Sequence, residues 1–461
     1  MGLIGILLSL FLLMYLAYRG INVLVLAPIL ALMAVLFAGG MPLLATYTQV
    51  FMKALGNYLT TYFPLFLLGA IFGKVMADNG SARAISEWIV AKLGPEHAIM
   101  AIVLACGILT YGGVSLFVVA FAVYPISVSL FRQANVPKRL IPGAIALGSF
   151  TFTMTALPGT PAIQNAIPMP FFGTTPFAAP ILGTLAGLIM FGGGVWWLRL
   201  RAAAAARRGE GFGTHPKTDA DSALAEDADL PGIWLAMAPV ISVIAVNAAL
   251  TYLVIPNMDT AFLAEARYGA TTIDSVRGIW AIIASLVVSI LLAIGLNLKR
   301  LSDLKETVNK GTMGSLLPVF NTSSEVGYGA VIASLPAFLV IRDAVLNIAP
   351  GNPLISLAVA VNVLAGITGS ASGGLSIALQ TLGAQFAEMA QAAGISEGLM
   401  HRVAALSSGG FDALPHNGAV ITLLAICGLT HKQSYPDIFV VAVAIPVFAT
   451  VVVVVLGSMG A

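Results

Sequence analysis

Ala156-Leu157-Pro158-Gly159-Thr160-Pro161-Ala162-Ile163 is echoed, in the other half of the chain, by Ala413-Leu414-Pro415-His416-Asn417-Gly418-Ala419-Val420. A glycine and serine patch precedes each stretch: Tyr111-Gly112-Gly113-Val114-Ser115 before the first, Gly369-Ser370-Ala371-Ser372-Gly373-Gly374 before the second. Helix-breaking residues at corresponding places in two halves of an apolar chain point to the binding site of a secondary transporter built from repeats.

The composition supports that reading. Apolar residues make up 59% of the 461 residues and charged residues 9%, against roughly 25% charged in an ordinary soluble domain. A chain this apolar belongs in a lipid bilayer. A net charge of +2, without a basic patch interleaved with aromatics, argues against nucleic acid as a partner. Cys106 and Cys427 lie in apolar stretches with no metal-binding spacing and read as packing residues. The first residues, Met1 to Tyr18, lack a basic leader and a cleavage pattern, so they read as a retained first span.

A span needs roughly 20 apolar residues. Leu3–Tyr18 and Ile21–Ala38 form a pair, Tyr58–Ala77 is a third span, and Ser81–Leu93 is amphipathic and expected to lie along the interface. Residues 98–131 are apolar but broken by the first glycine patch. Residues 141–167 are broken at Pro158-Gly159-Thr160-Pro161, and Pro176–Leu198 closes the first half. The expected organisation is thus a first repeat over 1–200, a polar linker over 201–231 and a second repeat over 232–461. The second repeat has a pair of spans (Ile233–Ile255 and Gly278–Leu296), a span over Met313–Ile341, a broken hairpin over 353–390, a broken helix over 403–429 and a last span over Ile438–Leu456.

Basic loops mark the cytoplasmic side: Arg132, Lys138 and Arg139; Arg199 to Arg208; and Lys299, Arg300, Lys305 and Lys310. All three face one side only if residues 98–131 enter and leave the membrane on that side, as a re-entrant hairpin with Gly112-Gly113 at its tip. The second hairpin then enters from the opposite side, and the two halves have inverted topology. The fold class read from the sequence is therefore all-α and polytopic, with two inverted repeats, re-entrant hairpins and broken helices. Irregular backbone at membrane depth is tolerated where it lines a wet cavity, so the four breaks are expected to meet in one polar chamber.

Helix ends at such breaks leave unpaired N–H groups with partial positive charge, which bind anions without a fixed cation. The candidate substrate residues are Gly112, Gly113, Ser115, Pro158, Gly159, Thr160, Gln164, Asn165, Ser370, Ser372, Gly373, His416 and Asn417. No Arg or Lys sits inside the breaks, which suits a monoanion better than a dianion. The competing explanation is that Gly and Ser only allow close helix packing.

Glu325, in Asn321-Thr322-Ser323-Ser324-Glu325-Val326-Gly327, lies inside an apolar span. An acid at membrane depth is costly and marks proton paths; the alternative is a structural Glu bonded to nearby hydroxyls. His416 and Asp412 flank the second break and join Glu325 as candidate proton-coupling residues, with Asp412 also placed to cap backbone N–H groups. Asp78-Asn79 reads as a helix terminus at the interface. His97, His215, His401 and His431 are expected in loops or at interfaces without a role. No Walker motif, metal cluster or paired-carboxylate constellation is present, so no catalytic residue, metal or cofactor is expected, and the chain does not read as an enzyme.

The plan and motifs resemble the gluconate permease (GntP) family of proton-coupled carboxylate symporters, within the larger ion transporter superfamily, over nearly the whole chain. Gly73-Lys74-Val75-Met76-Ala77-Asp78 is similar to that family's Gly-Lys-(Met/Leu)-x-Ala-(Asp/Glu) segment, Pro158-Gly159-Thr160-Pro161-Ala162 to its Pro-Gly-Pro-Thr-Ala segment, and Gly369-Ser370-Ala371 to its Gly-Ser-Ala hairpin tip. Sugar-acid members carry a Glu in the first hairpin where this chain has Gly113. Leu414-Pro415-His416-Asn417-Gly418 together with Asn321–Gly327 looks more like the branch of 3-hydroxybutyrate permeases. The resemblance implies a homodimer in the bacterial inner membrane whose transport domain, carrying both hairpins, moves as an elevator against a scaffold. It also implies import of a small hydroxy monocarboxylate with protons, sodium being the other coupling cation left open. The rival readings are a gluconate or other sugar-acid symporter and a passive organic-anion channel.

Overall fold

A computed structural model describes residues 1–213 and 229–460. His215 and Thr214, and most of the acidic part of the linker, lie outside the described residues. Every described element is helical. In chain order the helices are α1 (Gly2–Tyr18), α2 (Val23–Ala38), α3 (Leu43–Asp78), α4 (Ser81–Leu93), α5 (Ala98–Tyr111), α6 (Leu116–Gln133), α7 (Ile141–Ser149), α8 (Phe152–Thr155), α9 (Ile163–Ala166), α10 (Met169–Phe172) and α11 (Pro180–Arg207). The second half continues with α12 (Ile233–Asn257), α13 (Ile273–Asn297), α14 (Leu304–Ser334), α15 (Phe338–Leu346), α16 (Pro353–Thr368), α17 (Ala371–Ala392), α18 (Glu397–Ser408), α19 (Gly418–Cys427) and α20 (His431–Ser458). Five helices are long and apolar enough to cross a bilayer, and three further pairs, bent by 105°, 98° and 54° at short breaks, pass the same test together.

Helix starts follow local chemistry. The side chains of Asn22, Asp303, Asn352, Ser370, Ser396 and Asn417 each accept a hydrogen bond from a backbone N–H in the following first turn, and Thr430 with Gln433 forms a capping box. These caps supply partners that the bilayer cannot. The Asp78-Asn79 expectation is met in the same way: Asn79 ends α3, and its Oδ1 accepts from the Ser81 N–H to start α4.

Several boundaries differ from the sequence reading. The third span begins at Leu43, because a π-helical turn over Thr46–Phe51 joins what precedes it to the following helix. The span that carries Glu325 begins at Leu304 and ends at Ser334, with Ile341 on a separate helix across the 98° bend. Helix α11 continues to Arg207, because an alanine run carries it past the membrane-length segment. Residues 141–167 are interrupted twice, around Phe150-Thr151 and again over 156–162. Cys106 and Cys427 are buried and not joined in a disulfide, as packing residues would be.

The central pair is α3 against α14, and the two run antiparallel. Gly311 near the start of α14 meets Ile71 near the end of α3, whereas Gly327 meets Phe51 near its start. Glycines let these backbones approach closely, the usual device of membrane helix contacts. The α5–α6 and α16–α17 pairs are hairpins, and Gly374 presses directly on the backbone of Ala365 in the second one. A separate apolar cluster joins α1, α2 and the start of α3 to the end of α14, and there the Ser9 and Tyr328 hydroxyls share a 2.7 Å hydrogen bond.

Candidate substrate and coupling site

One cavity of about 830 Å³ collects residues from both halves. Gly113 and Ser115 reach it from the first hairpin tip, and Pro161 and Gln164 from the first break. Gly369, Ser370 and Ser372 enter from the second tip, Asp412, His416 and Asn417 from the second break, and Asn321, Thr322 and Glu325 from the long helix α14. Lys74 and Lys310 line it as well. From Lys310 to Glu325 along α14 is on the order of 22 Å at 1.5 Å per residue. The chamber therefore runs from the basic end of the central helix pair well into the membrane-spanning region.

The N-terminal ends of three long helices face this space. Ser115 is the N-cap of α6 and makes no side-chain cap bond. The Ser370 Oγ caps α17 by accepting from the Gly373 N–H at 3.0 Å. The Asn417 Oδ1 caps α19 by accepting from the Ala419 and Val420 N–H groups at 2.6 and 3.0 Å, while its amide donates to the Gly369 carbonyl at 2.9 Å. Asn417 thus ties the second break to the second tip. Asp412 and His416 stand at the same junction: the His416 ring packs against Gly369, and both side chains line the cavity.

Glu325 is 3% exposed. Its carboxylate and the Ser370 Oγ crowd the same space over Gly373, and its Oε2 is buried with no hydrogen-bond partner among the described residues. That oxygen lies over the Gly373 Cα, where any side chain would collide with it. Asp412 Oδ1 and His416 Nε2 are likewise buried and unpartnered. Two carboxyl groups thus line the cavity, each with one orphan atom. Buried polar atoms are rarely left unpaired, and these three gather around one cavity. At the first tip, Gly73 lies next to the Ser115 backbone N, and the acids lining the cavity, Glu325 and Asp412, come from the second half.

Other sequence candidates sit behind the cavity wall. Gly112 faces Val240 on α12. The Pro158 carbonyl accepts from the Tyr111 hydroxyl at 2.6 Å. The Gly159 N–H donates to the Pro176 carbonyl at 2.8 Å, and the Gly159 carbonyl accepts from Asn247 at 3.2 Å. Thr160 is fully buried, and its Oγ1 accepts from the Ala162 N–H. The Asn165 amide donates to the carbonyls of Thr160 and Pro176. These residues hold the shape of the first break. Gly373 does not line the cavity itself; it makes room for Glu325.

Two residues depart from the sequence reading. His401 is fully buried on α18 rather than in a loop, between Thr174 (2.6 Å) and the Asn165 Oδ1 (3.1 Å). Its neighbour Arg402, not singled out from the sequence, is also fully buried. Its Nε and Nη2 donate to the Ala178 carbonyl at 3.2 and 2.8 Å and its Nη1 to the Thr155 carbonyl at 3.1 Å. Its position in a polar-looking helix start, Glu397-Gly398-Leu399-Met400-His401-Arg402, hid this: nothing local marks the start of α18 as core.

Comparison with known proteins agrees with this architecture. The profile of the GntP family permeases matches residues 1–322. The chain is 46% identical over 452 residues to the uncharacterized transporter YxjC of Bacillus subtilis (strain 168), covering 96% of each chain. It is 29% identical over 119 residues to the high-affinity gluconate transporter of Escherichia coli (strain K12), covering 25% of this chain and 26% of that one. Among solved structures, the YdaH transporter of Alcanivorax borkumensis superposes with a TM-score of 0.53 at 16% identity, covering 88% of this chain and 87% of that chain. MtrF of Neisseria gonorrhoeae superposes with a TM-score of 0.56 at 12% identity, covering 90% and 84%. Family profile, near-full-length relative and fold agree: the chain is a multi-pass membrane transporter of the GntP permease family.

Proposed function

We propose that this permease is a secondary active symporter that imports a small hydroxy monocarboxylate, of the 3-hydroxybutyrate kind, together with protons across a bacterial inner membrane. The observation that carries the coupling is Glu325: a buried acid with one orphan oxygen, set over Gly373 beside the Ser370 hydroxyl at a hairpin tip. A proton on Oε2 satisfies that oxygen and removes the cost of a bare charge at membrane depth. The carboxylate form is instead held by the Ser370 hydroxyl and the positive end of α17. Each form has its own support, as a group that loads and unloads a proton needs. Asp412, lining the same cavity, is the second acid of the pair, and the unpartnered Nε2 of His416 is a donor or acceptor for substrate.

The anion is assigned to the space between the first tip and the first break, where the α6 N-terminus, Ser115 and Gln164 meet and no carboxylate competes. A hydroxyl-bearing acid matches the hydroxyl and amide groups there. Movement is assigned to the two hairpins as a unit, against a scaffold that includes the α1–α2 cluster, in a homodimer. Gluconate is the second reading, favoured by the partial similarity to a gluconate transporter; it differs from the first only in substrate size and hydroxyl count. The test is uptake of labelled 3-hydroxybutyrate into proteoliposomes under an imposed pH gradient, with and without a protonophore or sodium, and with unlabelled gluconate, lactate and acetoacetate as competitors. Uphill uptake that a protonophore collapses and gluconate does not inhibit is the expected result. Strong inhibition by gluconate moves the assignment to sugar acids. Uptake that only equilibrates refutes coupling.

A further inference from the structure

We infer that Arg402 is the fixed positive charge that selects for an anion in this chamber, acting as a positioning residue through the wall of the first break. The inference rests on the carboxylate transport proposed above. Thr155 lines the cavity, and Arg402 donates to its carbonyl from the far side. The guanidinium is fully buried, and no carboxylate among the described residues pairs with it. An isolated cation at membrane depth is costly and needs a reason to persist.

The reason lies in the polarity of the first-break wall. Thr155 ends a four-residue turn, and its backbone carbonyl oxygen there carries partial negative charge. Left bare, that oxygen would repel an anion held at the break. Arg402 covers it: three of its N–H groups occupy the Thr155 and Ala178 carbonyls, and its charge remains uncompensated behind them. The fold makes room for this. A Cβ on Gly183 of α11 would lie 2.9 Å from the Arg402 Nε and 2.5 Å from the Ala156 carbonyl oxygen. The first-break wall thus becomes positive by way of a residue from the second half, whereas the second tip is met by Glu325 and Asp412. Anion and proton are sorted to opposite walls of one chamber.

The test uses the full chain in proteoliposomes and separates KM from maximal rate for labelled 3-hydroxybutyrate and labelled gluconate. Arg402→Gln should raise KM by about tenfold or more, the scale of one unit charge across a low-dielectric wall. Arg402→Lys should recover most of that loss, since it keeps the charge. Gly183→Ala keeps the arginine but displaces it, and should raise KM by a smaller factor. A merely structural Arg402 would lower the amount of folded protein and hence maximal rate, leaving KM alone. If Arg402→Gln does not reach the membrane, Arg402→Lys and Gly183→Ala still decide: an unchanged KM in Gly183→Ala, or a KM raised about tenfold or more in Arg402→Lys, overturns the inference. If the unmodified protein carries both acids but no variant moves KM, this inference falls and the carboxylate reading stands. If the unmodified protein carries neither acid, both fall.

Discussion

The Oε2 atom of Glu325 rests on the Cα of Gly373, so that the carboxylate of the long central helix fills the space where a side chain would project from the second hairpin tip. A methyl group there cannot coexist with the carboxylate in this position. Gly373→Ala should therefore push Glu325 off the tip and away from the Ser370 hydroxyl, at a cost of roughly 1–3 kcal/mol as an overpacking change. Gradient-driven uptake should collapse while the protein still inserts and purifies. Gly112→Ala is the matched control: its methyl would meet the end of the Val240 side chain away from the cavity, so it should lower thermal stability more than substrate affinity. Uptake assayed beside detergent melting curves checks both, and normal uphill transport by Gly373→Ala would sink the assignment.

The repeat of glycine patches and proline breaks made the plan of this site readable in the sequence, because helix interruptions are written locally in Gly, Pro, Ser and Asn. Which face of each break looks into the chamber was not readable. Gly112, Thr160 and Asn165 occupy the same motifs as Gly113 and Gln164 yet turn away from the cavity, and only the packing around them, Val240 of α12 against Gly112 and His401 of α18 against Asn165, decides this. Arg402 and His401 were invisible as core for the same reason. Their partners Thr155, Asn165 and Ala178 lie in the opposite half of the chain, and nothing in the composition of α18 foretells them.

Charged residues at the basic face tie the two halves together. Asp437, 1% exposed, accepts from Arg139 at 3.1 Å, Arg201 at 2.8 Å and the Trp197 indole at 3.2 Å. Removing the acid strips Arg201 and the Trp197 indole of this partner while Arg139 keeps Glu210, and losing hydrogen bonds to a charged group costs on the order of 1–3 kcal/mol. Asp437→Ala should lower the melting temperature by several degrees, with Asp437→Asn in between. An unchanged melting curve would mean that the pair is solvated.

Arg139 also holds the Glu210 carboxyl below its ordinary range, through a direct hydrogen bond and its charge. A depressed acid contributes stability that is fully present above its unfolded value, near 4.5, and is lost as pH falls through the folded value. The tie between Arg139 and the linker should therefore loosen only on the acid side of about 4.5, and Glu210→Gln should flatten that part of a stability-against-pH curve. A loss that sets in near neutrality and survives in Glu210→Gln would assign the effect to another group.

The orientation of the chain has its own test. Between Arg208 and Asp259 the described chain makes one crossing, helix α12. A cysteine at Arg208 should be labelled by an impermeant maleimide from the cytoplasmic side alone, because the basic residues around it are expected inside. A cysteine at Asp259 should be labelled from outside alone. Labelling in the reverse sense would turn the whole molecule over and put the Lys74 and Lys310 end of the cavity outside. Labelling of both from one side would remove α12 as a span.

Glu325→Gln separates a proton carrier from a structural acid. The amide fixes the neutral shape of the side chain and can still meet the Ser370 hydroxyl, so substrate binding should survive. Counterflow exchange should also survive, since it moves substrate both ways without net proton transfer. Accumulation driven by a pH gradient should vanish, because the amide cannot release a proton on the inner side. A structural Glu325 would behave otherwise, lowering insertion, exchange and accumulation together. The two assays belong in the same liposome preparation, so that protein amount cancels. If Glu325→Gln still concentrates substrate against a gradient, coupling passes to the neighbouring orphan atoms, and Asp412→Asn and His416→Gln are then read in the same pair of assays: the residue whose loss spares exchange and abolishes accumulation is the carrier.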